Sequence, residues 1–280
     1  MLSLKRLLPL ALVFLGAMPA LGQGARASSI EAAFAPSATQ TAAVVDHRDW
    51  DALLKAHVRP AEDGLNRVDY RRFKAESQAK LKSYVTRLEA TDVSKLGRAE
   101  QFAYWVNLYN SKTVDIVLDH YPVRSIRDIN LGGGLFAAIT GGPWKAKSLN
   151  VGGRPLSLDD IEHVILRGMF MDYRVHFAVN CASVGCPNVS RDAFTGADLD
   201  AHLERNASAF VNSPRGIKLI GDRVHVSSIF NWFRADFGGT DQGVLDHIRR
   251  HASPELKIRL AKVTGIYDYF YDWSLNDASR

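Results

Sequence analysis

Apolar side chains recur every three or four residues in several separate stretches of the chain. In "DHRDWDALLKAHV", which begins at Asp46, they lie along one face of a helix, and "LKSYVTRLEAT" has the same spacing. The longest such pattern runs from Arg98 to His120. Pro122 follows it, and the residue before a proline is displaced from helical backbone angles, so we expect the helix to end there. The first part of the chain is therefore predicted to be helical.

Aromatic and β-branched residues mark three other stretches. "RVHFAVN", residues 174–180, predicts a strand, "GIKLIGDRVHVSS" predicts two short strands around a turn at Gly221, and "IYDYFYDWSL" predicts a final strand. Helical spacing returns between them, as in "GADLDAHLERNASAFV" and "VLDHIRRHA". Helices around a small, mostly antiparallel sheet indicate an α+β fold in a single domain.

The beginning of the chain differs from the rest. Lys5 and Arg6 precede an apolar run that is too short to span a membrane, which is typical of a secretory signal peptide. We expect residues 1–27 to be this signal, residues 28–45 to be a flexible lead-in, and residues 46–280 to form the globular domain. The exported protein would be periplasmic or secreted. No later apolar run reaches the roughly 18 residues of a membrane span, so we expect no transmembrane segment after signal removal.

The overall composition narrows the partners. Hydrophobic residues make up 46% and charged residues 23%, as in ordinary globular proteins. The formal net charge of +5 is spread along the chain, since Lys and Arg alternate with Asp and Glu. We therefore expect no nucleic-acid partner. The glycine-rich stretch from Gly132 to Gly142 has no lysine at phosphate-loop spacing, and no cofactor is predicted.

Two asparagines lie on one stripe of the predicted helix over Arg98–His120. Asn107 and Asn110 share this stripe with Glu100, while aromatic residues cover much of the remaining surface. Such a helix is expected to be buried, and buried amides cost free energy unless they are hydrogen-bonded. The two amides therefore either tie down neighbouring backbone or face a ligand. We keep both as candidate substrate-binding residues.

The predicted strand over residues 174–180 carries a second polar face. Alternation places His176 and Asn180 on one side and apolar residues on the other. Their side chains would lie about 7 Å apart, so one substrate could contact both. A strand histidine is also often a satisfied structural group. We take His176 as the candidate acid/base and Asn180 as a candidate substrate-binding residue.

The chain has only two cysteines, Cys181 and Cys186, directly after that strand. In an oxidising compartment such a pair predicts a disulfide, and closing so short a loop contributes only about 2 kcal/mol, enough to shape the loop. Alternatively Cys186 is a catalytic thiolate activated by His176. A third alternative, metal binding, lacks the ligand spacing of zinc sites, and no metal site is predicted.

The predicted final strand places aspartates among aromatic residues. An aspartate in such surroundings needs a partner, and a histidine can serve. We hypothesise that Asp272 orients His176 as a third catalytic residue. The alternative is that Asp272 faces solvent on one side of the sheet.

Four motifs, "YWVNLYN", "HFAVNCASVGCP", "NWFRADF" and "YDWSLN", occur in this order within a core of about residues 98–276. Together they resemble the family called domain of unknown function 547. Gly185 stands where that family often has serine. The resemblance makes the following residues signature positions: Trp105, Asn107, Tyr109, Asn110, His176, Asn180, Cys181, Ser183, Cys186, Pro187, Trp232, Asp236, Tyr271, Trp273 and Asn276.

The order of elements in this resemblance, an aromatic helix followed by a strand with His and a strand with Asp, looks like that of transglutaminase and papain-like thiol enzymes. In those enzymes the cysteine begins the helix, whereas residues 98–120 contain none. An ordinary thiol triad is therefore not carried over, and the resemblance supplies no established reaction.

From these residues we expect a hydrolase or acyl-transfer enzyme that acts on an amide-containing envelope or peptide substrate, with His176 as acid/base. Ser183 and Trp144 complete the candidate substrate-binding residues. The alternative is a non-catalytic ligand- or protein-binding module whose loop is shaped by a disulfide.

Overall fold

The computed structural model describes residues 29–35, 42–131, 142–221 and 223–279. The predicted signal peptide and most of the glycine-rich stretch lie outside these residues. The α-helices, after a helical segment at residues 29–34, are Arg48–His57, Tyr70–Glu89, Arg98–His120, Leu199–Val211, Ile229–Trp232, Asp241–His251 and Pro254–Leu260. The 3-10 helices are Val93–Lys95, Ile126–Asp128, Tyr173–Phe177 and Arg234–Phe237, and Asp160–Phe170 is a π-helix.

The central helix, Arg98–His120, has the limits that the sequence predicts. Tyr121 caps it with extended backbone before the proline, and helix Tyr70–Glu89 packs along it. Eighteen of its 23 residues are buried, so other elements surround it on nearly all sides. Within the described ranges, neither this helix nor any other is long and apolar enough to cross a membrane.

The described residues contain short strands in three small sheets. The strands are β1 (Val58–Pro60), β2 (Asn66–Val68), β3 (Leu149–Val151), β4 (Arg154–Leu156), β5 (Ile217–Ile220), β6 (Arg223–Ser227) and β7 (Asp268–Phe270). β1–β2, β3–β4 and β5–β6 are antiparallel pairs, and β7 adds to β6 in parallel. The predicted hairpin at Gly221 is confirmed as β5–β6, and the predicted α+β class is confirmed.

Buried apolar side chains form two clusters. The first surrounds the central helix and includes Trp105 and Val175. The second lies under β5 and β6 and includes Phe177, Phe230 and Phe237. The 3-10 helix Tyr173–Phe177 thus runs between the two clusters. Its Val175 side chain packs in the first cluster, and its Phe177 side chain packs in the second.

This packing explains why the strand predicted over residues 174–180 is wrong. The Asp172 side chain accepts the N–H of Arg174 at 2.9 Å and begins a tight turn instead. A strand would place Val175 and Phe177 on the same face, whereas the turn sends them apart. Residues 175–180 are all buried, so the polar and apolar faces on which the prediction rested do not exist.

The predicted final strand is shorter than expected, because only Asp268–Phe270 pairs with β6. The following residues run beside the cysteine loop, residues 181–186. Val184 donates its N–H to the carbonyl of Ser274, and Gly185 donates to the carbonyl of Asp272, both at 2.8 Å. The end of the chain therefore covers this loop.

Part of the predicted flexible lead-in packs on the core. Phe34, in the helical segment at residues 29–34, is buried, and its ring centroid lies 5.1 Å from that of Trp105 in an edge-on contact. Val45 donates its N–H to Glu100 at 2.8 Å and joins the other end of this stretch to the central helix. Residues 29–34 are therefore structured in contrast to the predicted flexibility.

Candidate functional site

A pocket of about 180 Å³ lies where the π-helix, the cysteine loop and the end of the chain meet. Its polar side chains are Asp159, Glu162, His163 and His176, and the Cys181–Cys186 disulfide also borders it. The wall is mainly aromatic and comprises Tyr109, Trp144, Trp232, Phe233, Tyr271 and Trp273. Of the predicted site residues, those that line the pocket are His176, Cys181, Cys186 and Trp144; those that do not are Asn107, Asn110, Asn180, Ser183 and Asp272.

His176 is held by a carboxylate from the 3-10 helix Arg234–Phe237. Its Nε2 lies 2.7 Å from Oδ2 of Asp236. Its ring stacks on Phe233, with centroids 4.0 Å apart and planes 18° from parallel. Only 2% of His176 is exposed, so both the ring plane and one nitrogen are fixed by neighbours.

Asp236 is in turn held by an arginine of the π-helix. Arg167 donates from Nε to Oδ2 at 2.7 Å and from Nη2 to Oδ1 at 3.1 Å, a two-point pair that sets the plane of the carboxylate. Its guanidinium also lies over the Phe233 ring, 4.7 Å from the centroid. The hydrogen bond from His176, with the contribution of Arg167, holds the pKa of Asp236 far below its usual range. Asp236 is therefore an anion that can only accept.

These contacts define the protonation of His176. Burial lowers the pKa of His176, and this effect prevails over the carboxylates of Asp236 and Glu162, which act to raise it. The ring is therefore neutral at neutral pH. Because the Asp236 carboxylate only accepts, the single ring proton lies on Nε2. Nδ1 is then an unprotonated base, and it is buried without a hydrogen-bond partner among the described residues.

The two cysteines form a disulfide, as predicted. The N–H of Cys181 donates to Cys186 Sγ at 3.1 Å, and the Tyr271 hydroxyl lies 3.2 Å from the same sulfur. Neither sulfur is a free thiol. The hypothesis that Cys186 is a catalytic nucleophile is therefore wrong for this form of the protein, because attack requires a thiolate.

The central helix uses its two asparagines to hold backbone. Asn107 donates to the carbonyl of Phe194 at 2.8 Å and accepts the N–H of the same residue at 3.0 Å. Asn110 donates to the carbonyl of Ala178 at 2.9 Å and accepts the N–H of Asn180 at 2.8 Å. Both side chains are buried. Their amides are paired with two loops, which matches the alternative that they tie down neighbouring backbone; a role in substrate binding stays a prediction.

Asn180 and Ser183 are likewise used inside the cysteine loop. Asn180 donates to the carbonyl of Pro187 at 2.5 Å and accepts the N–H of Ala182 at 2.8 Å. The Ser183 hydroxyl lies 2.8 Å from that of Tyr271. Both residues are buried and help to shape the loop, and their predicted contact with substrate stays a prediction.

Asp272 does not orient His176. Its side chain is exposed and accepts the N–H of Ser274 at 2.8 Å, which matches the solvent-facing alternative. Asp236 occupies the orienting position instead. Asp236 is one of the signature positions, in the motif "NWFRADF", but no sequence pattern indicates that it contacts His176. As in the thiol enzymes, a helix is followed along the chain by a histidine and then an aspartate. Here, however, the aspartate lies on a 3-10 helix and not on a strand.

A second pair of polar groups lies on the pocket wall formed by the start of the π-helix. The Tyr109 hydroxyl donates to Oε2 of Glu162 at 2.9 Å. Burial, with Glu162 nearby, raises the pKa of Tyr109 well above its ordinary value, so it remains a donor. Asp159 and His163 lie at the same end, with Oδ1 and Nε2 3.9 Å apart. In the described part of the chain, no three His, Cys, Asp or Glu side chains are placed to hold a metal ion.

Comparison with known proteins places part of the chain in a family. Residues 93–211 match the family described as "Protein of unknown function, DUF547". This range includes His176 and both cysteines, while Asp236 and Tyr271 follow it. No curated protein and no solved structure matches the chain. The resemblance to the domain of unknown function 547 family is therefore confirmed over residues 93–211 of the chain.

Proposed function

We propose that the protein is a hydrolase in which His176 acts as a general base on a water molecule in the pocket. The observation that carries this proposal is the buried Nδ1 of His176, which has no partner in the described residues while Asp236 holds Nε2. A buried acceptor without a partner costs about 1–3 kcal/mol, so a water or a substrate group is expected there. A neutral imidazole held by a carboxylate is the form that removes a proton.

The substrate class is an acyl compound, an amide or an ester. His176 takes a proton from water while the water oxygen forms a bond to the acyl carbon. The bond from that carbon to the leaving nitrogen or oxygen then breaks, and His176 returns the proton to the leaving group. One water is consumed, and the products are a carboxylic acid and an amine or alcohol.

Water attacks the acyl carbon directly and no acyl-cysteine intermediate forms, because the disulfide leaves no thiolate in either cysteine. This favours hydrolysis over transfer to a second acceptor. The disulfide also supports an oxidising compartment, so we propose that the protein acts in the periplasm or outside the cell on an amide-containing envelope or peptide substrate. The signal-like sequence of residues 1–27 supports the same location.

A second candidate function is a binding module without catalysis. The observation that favours it is that Asn107, Asn110 and Asn180 are all paired with backbone, so none of these three amides is free to stabilise a developing oxyanion. In that function Nδ1 of His176 accepts a hydrogen bond from a ligand and takes up no proton.

The test compares two buried histidines with similar surroundings. His202 is also 2% exposed, stacks on an aromatic ring with centroids 3.9 Å apart, and has an unpartnered Nδ1, but its Nε2 partner is the hydroxyl of Ser190. We would measure hydrolysis of p-nitrophenyl acetate and alanine p-nitroanilide by the full chain and by the His176→Gln and His202→Gln variants. Thermal unfolding would establish that both variants fold.

The proposal predicts that His176→Gln lowers the hydrolysis rate by about 10²-fold, the usual contribution of a general base, while His202→Gln changes it little. Equal rates in all three folded proteins would contradict it. Absence of hydrolysis by the unaltered protein on both probes would favour the binding module.

A further inference from the structure

We infer that the aromatic end of the pocket binds an organic cation, a quaternary or protonated amine. This inference rests on the proposed function in one respect, because it takes the cation to be part of the substrate. The cation itself, however, can be tested by binding alone. The ligand class is recognised by three features of the site, namely grouped aromatic rings, two carboxylates and the lack of a Lys or Arg side chain on the described wall.

Four aromatic rings are grouped at the mouth of the pocket. The centroid of Tyr271 lies 4.7 Å from that of Trp232 and 4.6 Å from that of Trp273. Trp144 meets Trp273 edge-on at 5.9 Å. Trp232 is 48% exposed, which is unusual for so large an apolar side chain and leaves its ring accessible to a ligand. The faces of such rings are negative and attract cations, particularly those that lose little hydration.

Two arginines lie over aromatic rings that line the pocket. The guanidinium of Arg127 lies over Trp273 at 5.1 Å from the ring centroid, and that of Arg167 lies over Phe233 at 4.7 Å. Both distances are within the range of cation–π attraction. Trp273 and Phe233, which both line the pocket, thus each accept one cation from within the chain.

The charged groups of the pocket favour the same ligand. Asp159 and Glu162 contribute carboxylates, and no Lys or Arg is among the described residues that line it. His176 is neutral, as argued above, and adds no positive charge. Tyr109 and Tyr271 are protonated phenols, because burial raises the pKa of each hydroxyl. His163 also lies on this wall, 3.9 Å from Asp159 and 4.0 Å from Glu162. With two carboxylates and no Lys or Arg, the described wall presents acidic groups and aromatic faces to whatever enters.

Nδ1 of His176 is a hydrogen-bond acceptor that a ligand of the pocket can use. His176 is 2% exposed and lines the pocket, yet this atom has no partner in the described residues. A protonated amine can donate a hydrogen bond to it, and the leaving amine of the proposed hydrolysis would be such a group. A ligand longer than the pocket can extend past Trp144 into an adjoining cleft of about 520 Å³ that is lined by Arg127 and Lys145.

The affinity for a cation bound beside Asp159 should depend on pH. Burial raises the pKa of Asp159; Glu162 and Asp160 add to this, whereas His163 and Lys145 oppose it. A cation bound beside Asp159 stabilises its ionised form. Affinity for the cation is therefore expected to increase with pH until Asp159 is fully ionised.

The experiment uses a pair of probes that differ only in charge. Choline carries a quaternary nitrogen, and 3,3-dimethyl-1-butanol has a carbon at that position. Binding to the full-length, oxidised chain would be measured by calorimetry and by tryptophan fluorescence. Three of the five tryptophans, Trp144, Trp232 and Trp273, line the pocket, so fluorescence reports on it directly. N-acetylglucosamine would serve as a neutral sugar that also stacks on aromatic rings.

We expect choline to bind about tenfold more tightly than its neutral isostere. Asp159→Asn and Trp232→Leu should each weaken choline binding by about fivefold or more. Two control variants make the same kind of change at more exposed side chains that do not line the pocket, Asp246→Asn and Ile258→Ala, and should leave the affinity within about twofold.

Equal binding of choline and its isostere, binding of the sugar or the alcohol alone, or no binding of any probe would each overturn the inference. Binding that the two pocket variants leave unchanged would also overturn it. The His176→Gln variant separates this inference from the proposed hydrolysis. It should lose hydrolysis and still bind choline within about threefold, because the rings and carboxylates are retained and the quaternary nitrogen of choline has no N–H to donate to Nδ1. Retained binding without any hydrolysis by the unaltered protein would contradict the proposed function alone.

Discussion

The imidazole of His176 and the carboxylate of Asp236 meet at 2.7 Å although 60 residues separate them in the chain. Two short 3-10 helices bring them together, one between the apolar clusters and one beside the pocket. Phe233 supports the imidazole from one face. The other ring nitrogen, Nδ1, has no hydrogen-bond partner in the part of the chain that the structure describes.

Replacing the carboxylate should therefore change which nitrogen carries the proton. In Asp236→Asn the amide can donate to Nε2, which transfers the ring proton to Nδ1 and removes the free base. We expect the hydrolysis rate constant kcat to decrease by about 10²-fold with a smaller change in KM. Steady-state kinetics on the probes described above would measure this.

Asp172→Asn is the matched control for that variant. Asp172 pairs with Arg174 at 2.7 Å and its side chain is as exposed as that of Asp236, but it has no histidine partner. Asp172→Asn should lose its ion pair with Arg174 and keep its kcat. A decrease of similar size in both variants would mean that ion-pair loss, and not the state of His176, lowers the rate.

The stability of the protein should decrease as the pH falls below about 6.5. Burial lowers the pKa of His47 from 6.5 to about 4, and it also lowers the pKa of His57, His176, His202 and His251. Between the lowered pKa and the ordinary one, the unfolded chain binds more protons than the folded one. The free energy of unfolding therefore increases with pH through this window, by at most about 1.4 kcal/mol per pH unit for each histidine, and levels off above it.

Urea unfolding at a series of pH values would test this. The His47→Gln variant should show a smaller slope between about pH 4 and 6.5, because one histidine no longer takes up a proton on unfolding. A slope of the opposite sign, with the protein more stable in mild acid, would contradict the assignment of neutral buried histidines.

Asn107 should contribute to stability. Asn107→Ala leaves both the N–H and the carbonyl of Phe194 buried without their partner, which we expect to lower the free energy of unfolding by about 2–3 kcal/mol. Asn231 is exposed, and Asn231→Ala should cost less than about 0.5 kcal/mol. Chemical unfolding of both variants gives the comparison. A stable Asn107→Ala protein with weakened ligand binding would restore this residue to the site.

Gly185 should tolerate no side chain, although the family often has serine there. A Cβ on Gly185 would lie 2.8 Å from the backbone nitrogen of Asp272 and 2.9 Å from the ring of Tyr271. We expect Gly185→Ala to lower the free energy of unfolding by about 1–3 kcal/mol and to shift the Tyr271 signals in NMR spectra. Gly265→Ala, where the nearest atom would be 3.7 Å away, should be nearly neutral, and equal costs would argue against close packing at Gly185.

Local sequence was sufficient to predict the central helix and the β5–β6 hairpin. A long apolar stretch ends at the Tyr121–Pro122 pair, and a glycine at residue 221 has the positive φ of 62° that a tight turn requires. The segment over residues 174–180 could not be predicted in this way. Its aromatic and β-branched residues favour a strand, but burial between two clusters decided its conformation.

The candidate site was predictable only in part for the same reason. His176 and the disulfide were found because the residues lie within one motif. Asp236 and Arg167 could not be joined to His176 by any local pattern, since each comes from a different helix and only the tertiary packing brings them together. The polar residues nearest to His176 in sequence, such as Asn180, are those that the loop itself uses.

The protonation of His176 in the full chain is the most direct test of this account. Nitrogen-15 NMR of histidine-labelled protein near pH 7, assigned by comparison with the His176→Gln variant, distinguishes the two neutral tautomers and the charged ring. We predict a neutral ring with its proton on Nε2 and a pKa below the ordinary value of 6.5. A charged ring at this pH, or a proton on Nδ1, would contradict the claim that His176 presents a free base to the pocket.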